Sequence, residues 1–150
     1  MEGIMVLETA TALVCMANAI YFEARSESII GQIAVGQVIM NRVSDHRFPN
    51  TVCEVVTDGL RYSWDTRKIV RDKCAFSFYC DGKPEHIKDE EAYVWAEEIS
   101  LGILSDTLHV DFTDGSTHYH AYYVQPYWKD RFTQTVRIND HIFYRWEMPE

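Results

Sequence analysis

Glu23 is the residue with the most chemical potential in this chain. It stands in Ile20-Tyr21-Phe22-Glu23-Ala24-Arg25-Ser26-Glu27, directly after 14 uncharged residues running from Thr9 to Phe22. A carboxyl held against apolar side chains loses hydration when it ionises, so its pKa rises. A glutamate raised in this way still carries a proton near neutral pH, which is what a general acid requires. The plainer alternative is a surface glutamate at a helix end. Glu27 reads as a first-turn acid of the next helix, favourable to its dipole, and only secondarily as a partner for Glu23.

A second constellation is His118-Tyr119-His120. Histidines at i and i+2 on a strand share a face and could ligate a metal. Asp114 is the only close acid, so hydrogen bonding to a polar ligand or to backbone in a cleft fits better, and no metal is expected. Nine of the chain's 20 aromatic residues fall in the last 32 positions. Flat rings with polar edges suit sugar faces and also single-stranded bases. Fourteen Lys and Arg against 23 Asp and Glu leave a net charge of −9, which favours sugars and argues against nucleic acid. A Cys/His dyad drawn from Cys15 or Cys74 with His118 or His120 is conceivable, but nothing marks either thiol as activated. No Gly-rich phosphate loop, H-E-x-x-H or G-x-S-x-G motif is present.

These groups need elements to hold them. Ala10, Leu13, Val14, Ala17 and Tyr21 have helical spacing and predict a first helix ending near residues 23–26. A second helix is predicted from Ser28, a plausible N-cap, to Val43, with Ile29, Ile33, Gly36, Met40 and Val43 as its repeat. Thr51-Val52-Cys53-Glu54 has the form of a capping box. Residues 57–83 lose helical period, carry Asp-Gly turn signals and a basic cluster, and read as a long irregular segment. Asp89 then caps a third main helix, with Ala92, Trp95, Ala96, Ile99 and Ile103 on its apolar face. Residues 117–124 alternate like a strand, and Asn139-Asp140 reads as a two-residue hairpin turn between 136–138 and 141–144. Helices first and a small sheet last make an α+β chain, and 150 residues make a single domain.

Composition bounds the rest. With 47% apolar and 25% charged residues the chain has ordinary globular content. The uncharged stretch near the start is too short and too polar to cross a bilayer, so no membrane insertion is expected. The start lacks the cationic region of a secretory signal peptide. Four cysteines, Cys15, Cys53, Cys74 and Cys80, allow buried thiols or one or two disulfides, with the pairing open. A hairpin closed by Cys74 and Cys80 is one option.

Together these segments resemble the SleB-like cell wall hydrolases, a family that includes spore-cortex-lytic enzymes and phage relatives. The resemblance covers about residues 13–146. It rests on CMANAIYFEARSE (15–27), GQIAVGQVIMNRV (31–43), FPNTVCEVV (48–56), CAFSFYCDG (74–82), THYH (117–120), PYW (126–128) and DHIFYR (140–145). It implies a lysozyme- or transglycosylase-like helical lobe followed by a small antiparallel sheet, with the whole chain as one catalytic domain. It also implies that the acid is the first glutamate of E-A-R-x-E, Glu23, and it favours bridged cysteines. Ser26 stands where the family usually has Gly. Similar enzymes cleave the β-1,4 bond between N-acetylmuramic acid and N-acetylglucosamine. Lytic transglycosylation to 1,6-anhydro products needs only one acid/base, because the attacking hydroxyl belongs to the sugar itself. A hydrolytic muramidase would need a second carboxylate, and a non-catalytic peptidoglycan-binding protein on the same fold is the other alternative.

Phe76, Ser77, Phe78, His118, Tyr119, His120 and Trp128 are the expected substrate-binding residues around Glu23. No cofactor is expected. The expected partner is the glycan strand of peptidoglycan, bound by a monomer. Family members are commonly exported or carry a wall-binding module, and this sequence shows neither. It is therefore expected to be made in the cytoplasm and to act on the cell wall or periplasm; a phage lysis protein released through a membrane pore would fit.

Overall fold

A computed structural model describes residues 2–148, with side chains from residue 11 onward. Ala10, counted above on the first helical stripe, lies outside the described side chains. Four helices and five strands follow in the order α1 (Glu2–Ala24), α2 (Ile29–Val43), α3 (Val52–Val56), β1 (Gly59–Tyr62), β2 (Asp65–Cys74), α4 (Glu90–Leu104), β3 (His118–Ala121), β4 (Thr133–Ile138) and β5 (His141–Arg145).

The core forms where α1, α2 and α4 meet. Met16, Ala17, Ile20, Tyr21 and Ala24 are its α1 face, while Val14 is 50% exposed. The stripe therefore lies rotated from the expected one. A long uncharged run offers several apolar faces, and only packing against α2 and α4 selects among them. Helix α2 is buried on most of its circumference, with Gln32, Gln37 and Arg42 among its buried residues, while Ile29 at its start is exposed. A Cβ on Gly36 would come within 2.4 Å of Ile103 Cδ1 and 3.3 Å of Ile20 Cδ1, so this glycine permits the close approach of α1, α2 and α4. Ser28 caps α2 and accepts from Gly31 N, Thr51 caps α3, and Asp89 caps α4. Trp95 of α4 points outward, 52% exposed, although its spacing matched the apolar face. The Tyr21 hydroxyl accepts from the backbone N–H groups of Lys88 and Asp89, both at 3.0 Å, and so anchors the start of α4 to α1.

Residues 57–83 are not irregular. They contain an antiparallel hairpin, β1–β2, with two register shifts, followed by a single 3-10 turn at Ser77–Tyr79. Neither strand has a buried face, so no apolar alternation marks it in the sequence. The last three strands form an antiparallel sheet in the order β3-β5-β4, with Ile138 paired to His141 across the Asn139-Asp140 turn. One face of this sheet packs Phe143, Tyr119 and Val136 onto Ala34 and Val38 of α2. Disulfides join Cys15 to Cys53 and Cys74 to Cys80. The first ties α1 to α3, and the second fastens the end of β2 to the 3-10 turn. No described helix is long and apolar enough to cross a membrane.

Candidate active site

Helix α1 ends by delivering Glu23 to a cavity of about 370 Å³ between the helical lobe and the sheet. Arg42 of α2, Phe76 and Ser77 beyond β2, Tyr119 and His120 of β3, and His141 of β5 share its lining. Strand β3 contributes both Tyr119 and His120 to the lining. Tyr119 points toward the helices and donates from its hydroxyl to Glu23 Oε2 at 3.2 Å. Its ring packs between Phe143 and His141, with centroids 5.6 and 4.8 Å away.

Burial raises the pKa of Glu23, and the Tyr119 hydrogen bond and the positive charge of Arg42 oppose that rise without cancelling it. Arg42 is itself 9% exposed. Its Nε donates to Thr117 O at 2.7 Å, and its guanidinium lies 4.9 Å from the Phe48 ring and 5.5 Å from the Phe76 ring. The site thus holds one proton donor with an apolar bias toward the neutral form and a nearby cation for the ionised form. That pairing suits a group that must give up a proton and later take one back. Among the described residues, Glu23 is the only carboxylate lining this cavity.

The expected binding residues divide. Phe76, Ser77, Tyr119 and His120 line the cavity with Glu23; Phe78, His118 and Trp128 do not. Phe78 is core, stacked on Phe22 at 5.0 Å. His118 lies on the sheet face opposite Tyr119, stacked on Phe132 at 4.4 Å and close to Trp128, Phe48 and Trp146. Burial and the charges of Arg42 and Arg47 push its pKa down to about 4. Trp128 belongs to the same aromatic cluster and meets Tyr144 edge-on at 5.3 Å. Much of the C-terminal aromatic content is therefore packing. His120 has both ring nitrogens engaged within the protein, one 2.7 Å from Tyr144 Oη and one 2.7 Å from Ala121 O. Among the described residues there is no group of three or more His, Cys, Asp or Glu close enough to hold a metal ion.

Arg42, Tyr123 and His141 were missed as site residues. Arg42 carried a usable signal, since it falls at i+3 and i+4 from Ile39 and Val38 on a buried helical stripe. Tyr123, 75% exposed on the rim, had none. Glu27 needs a different correction. It precedes the N-cap of α2, and its carboxyl turns away from the helix toward the β4–β5 turn, accepting from Asp140 N at 3.3 Å.

Removing the Tyr119 hydroxyl tests this electrostatic balance. It favours the ionised form of Glu23, so Tyr119→Phe leaves Glu23 protonated to higher pH. The alkaline limb of the pH–rate profile then moves to higher pH in the variant. An unmoved limb, or one at lower pH, would show that Glu23 does not control it.

A helical lobe facing a three-stranded sheet across a cleft, with one buried glutamate in it, matches a known class. The cell wall hydrolase family model matches residues 26–144, and the chain belongs to that family. The match begins three residues beyond Glu23 and includes Arg42, Tyr119 and His141. The crystal structure of the catalytic domain of Bacillus cereus SleB aligns with a TM-score of 0.64 at 30% identity, covering 89% of both chains. The catalytic domain of the germination-specific lytic transglycosylase SleB from Bacillus anthracis aligns with a TM-score of 0.63 at 28% identity, covering 89% of this chain and 93% of that one. The spore cortex-lytic enzyme of Halalkalibacterium halodurans is 31% identical over 133 residues, which are 85% of this chain and 33% of that protein. A Bacillus cereus spore cortex-lytic enzyme is 56% identical over 41 residues, 16% of its length. The chain thus spans a third or less of these full-length relatives and most of the two solved catalytic domains. The mixed helices and small antiparallel sheets are the SleB catalytic-domain fold, carried here by a member of the cell wall hydrolase family.

Proposed function

We propose that this protein cleaves the β-1,4 bond between N-acetylmuramic acid and N-acetylglucosamine by lytic transglycosylation, with Glu23 as the only acid/base. The observation that carries this reading is that Glu23 is the one carboxylate among the described residues lining the cavity. Inverting hydrolysis uses a second carboxylate to activate water, and retaining hydrolysis uses one as nucleophile, the pair lying roughly 5–9.5 Å apart across the bond. Transglycosylation dispenses with it. Glu23 protonates the leaving glycosidic oxygen, and its carboxylate then removes the proton of the muramic 6-hydroxyl as that oxygen closes on C1. The ring becomes 1,6-anhydro, no water is consumed, and Glu23 regains its proton. The positive charge of Arg42 stabilises the carboxylate in the interval. The similar Bacillus anthracis domain belongs to a lytic transglycosylase, which supports the same chemistry here.

Mass spectrometry of the soluble muropeptides tests the proposal. Products ending in 1,6-anhydro-muramic acid support it. New reducing ends would mean hydrolysis, and a second carboxylate would have to be found, with Glu27 tested first. Binding without turnover would leave a peptidoglycan-binding protein on this fold.

A further inference from the structure

Behind the cavity lies a carboxylate–imidazole pair that the single-glutamate chemistry does not use. The Glu27 side chain is 7% exposed and that of His141 11%. Glu27 Oε1 stands 3.4 Å from His141 Nδ1, and this Nδ1 is fully buried without a hydrogen bond. An orphaned buried nitrogen calls for an explanation, because leaving it unpaired destabilises the fold. The contact is held from both sides. The Ser28 hydroxyl donates to Asn139 Oδ1, joining the α1–α2 loop to the β4–β5 turn. Gly31 makes room for this junction, since a Cβ there would lie 3.0 Å from Glu27 Cβ and 3.1 Å from Asn139 Oδ1. On its other side the His141 ring packs against Tyr119, the residue that holds Glu23.

We propose that Glu27 is a positioning residue for His141: it accepts the Nδ1 proton and thereby presents His141 Nε2 to the cavity as an acceptor for a hydroxyl or acetamido N–H of the bound glycan. The identity of the protonated ring nitrogen follows from the partner of the other one. Among the described residues Nε2 has no hydrogen-bond partner, and His141 lines the cavity beside Glu23. A separation of 3.4 Å is longer than a normal hydrogen bond, and such contacts commonly tighten when substrate fills a site. Glu27, Asp140, His120 and Tyr119 are the ionisable groups facing the ring; burial lowers its pKa, keeping it in the neutral form that can accept.

This inference rests on the cavity being the glycan site, so turnover by the native protein is measured first; a native chain that releases no muropeptides defeats that parent reading by itself. Three variants of the full chain follow: Glu27→Gln, His141→Phe and the double variant. His141→Phe keeps the ring against Tyr119 and removes the acceptor, so kcat/KM falls about 100-fold, while Glu27→Gln costs about tenfold. The double variant is no slower than His141→Phe within about twofold, because Glu27 acts through a ring that is gone. His141→Gln, whose amide oxygen reaches toward the Nε2 position, recovers part of the loss, and it replaces His141→Phe in the cycle if that variant does not fold. A purely structural role would lower thermal stability and leave kcat/KM unchanged. That result, or effects that multiply in the double variant, would overturn the proposal.

Discussion

Glu23→Gln binds peptidoglycan glycan strands as the native chain does and cleaves them about 10²–10⁴-fold more slowly. The amide keeps the shape of the side chain and can still accept from the Tyr119 hydroxyl, but it has no proton to give to a leaving oxygen. Stability adds an independent check. Burial raises the pKa of Glu23, so the folded state prefers the protonated form more strongly than the unfolded chain does. The stabilising contribution of that proton is complete below the unfolded pKa and is lost as pH rises through the folded one. Above the folded pKa the native chain carries a buried charge that the amide variant lacks. Glu23→Gln should melt at the same temperature as the native protein at acid pH, and at a higher temperature once the pH has risen through the folded pKa of Glu23. A variant that cleaves normally would remove Glu23 from the acid role. Equal melting temperatures at every pH would show that the carboxyl is not held in the buried environment described here.

Glu23 was legible because one charge ends a run of 14 uncharged residues, and such a residue is either at the surface or forced against apolar neighbours. The helices were legible for related reasons: Ser28, Thr51 and Asp89 are capping side chains whose role does not depend on distant contacts. The β4–β5 turn was written in Asn139-Asp140. What the sequence left out depends on contacts between elements. The hairpin β1–β2 buries neither face, so it leaves no period-2 signal. His118, Tyr119 and His120 were all expected around Glu23; Tyr119 and His120 line the cavity, while the His118 side chain enters an aromatic cluster. The choice of face is made by Phe143 packing onto α2, which no local pattern in residues 117–120 records. Glu27 looked like a dipole partner because its neighbours are helical. Its carboxyl is claimed instead by Asp140 and His141, more than 100 residues away along the chain.

Reduction of the Cys15–Cys53 disulfide lowers the melting temperature sharply without changing the shape of the pH–rate profile. The bridge spans 38 residues and brings the two Cα atoms to 5.3 Å, fastening α1 to α3. A loop of that length, freed in the unfolded chain, costs about 4 kcal/mol by chain entropy, against about 2 kcal/mol for the six-residue Cys74–Cys80 loop. In a chain of this size each kcal/mol moves the melting temperature by roughly 2–4 °C, so Cys15→Ser with Cys53→Ser should melt about 8–16 °C lower. Glu23 lies on the same helix two turns further on, but its position is fixed by contacts the bridge does not make. Ile20 and Tyr21 are buried in the core, and Tyr119 holds the carboxyl from the sheet. The folded variant therefore keeps the pKa of Glu23 and the native profile below its own melting temperature. Differential scanning calorimetry and a pH–rate series on the same preparations separate the two effects. Four free thiols in the unfolded, unreduced native protein would refute both bridges. A profile displaced in the Cys15→Ser, Cys53→Ser variant would show that the α1–α3 link also sets the acidity of Glu23.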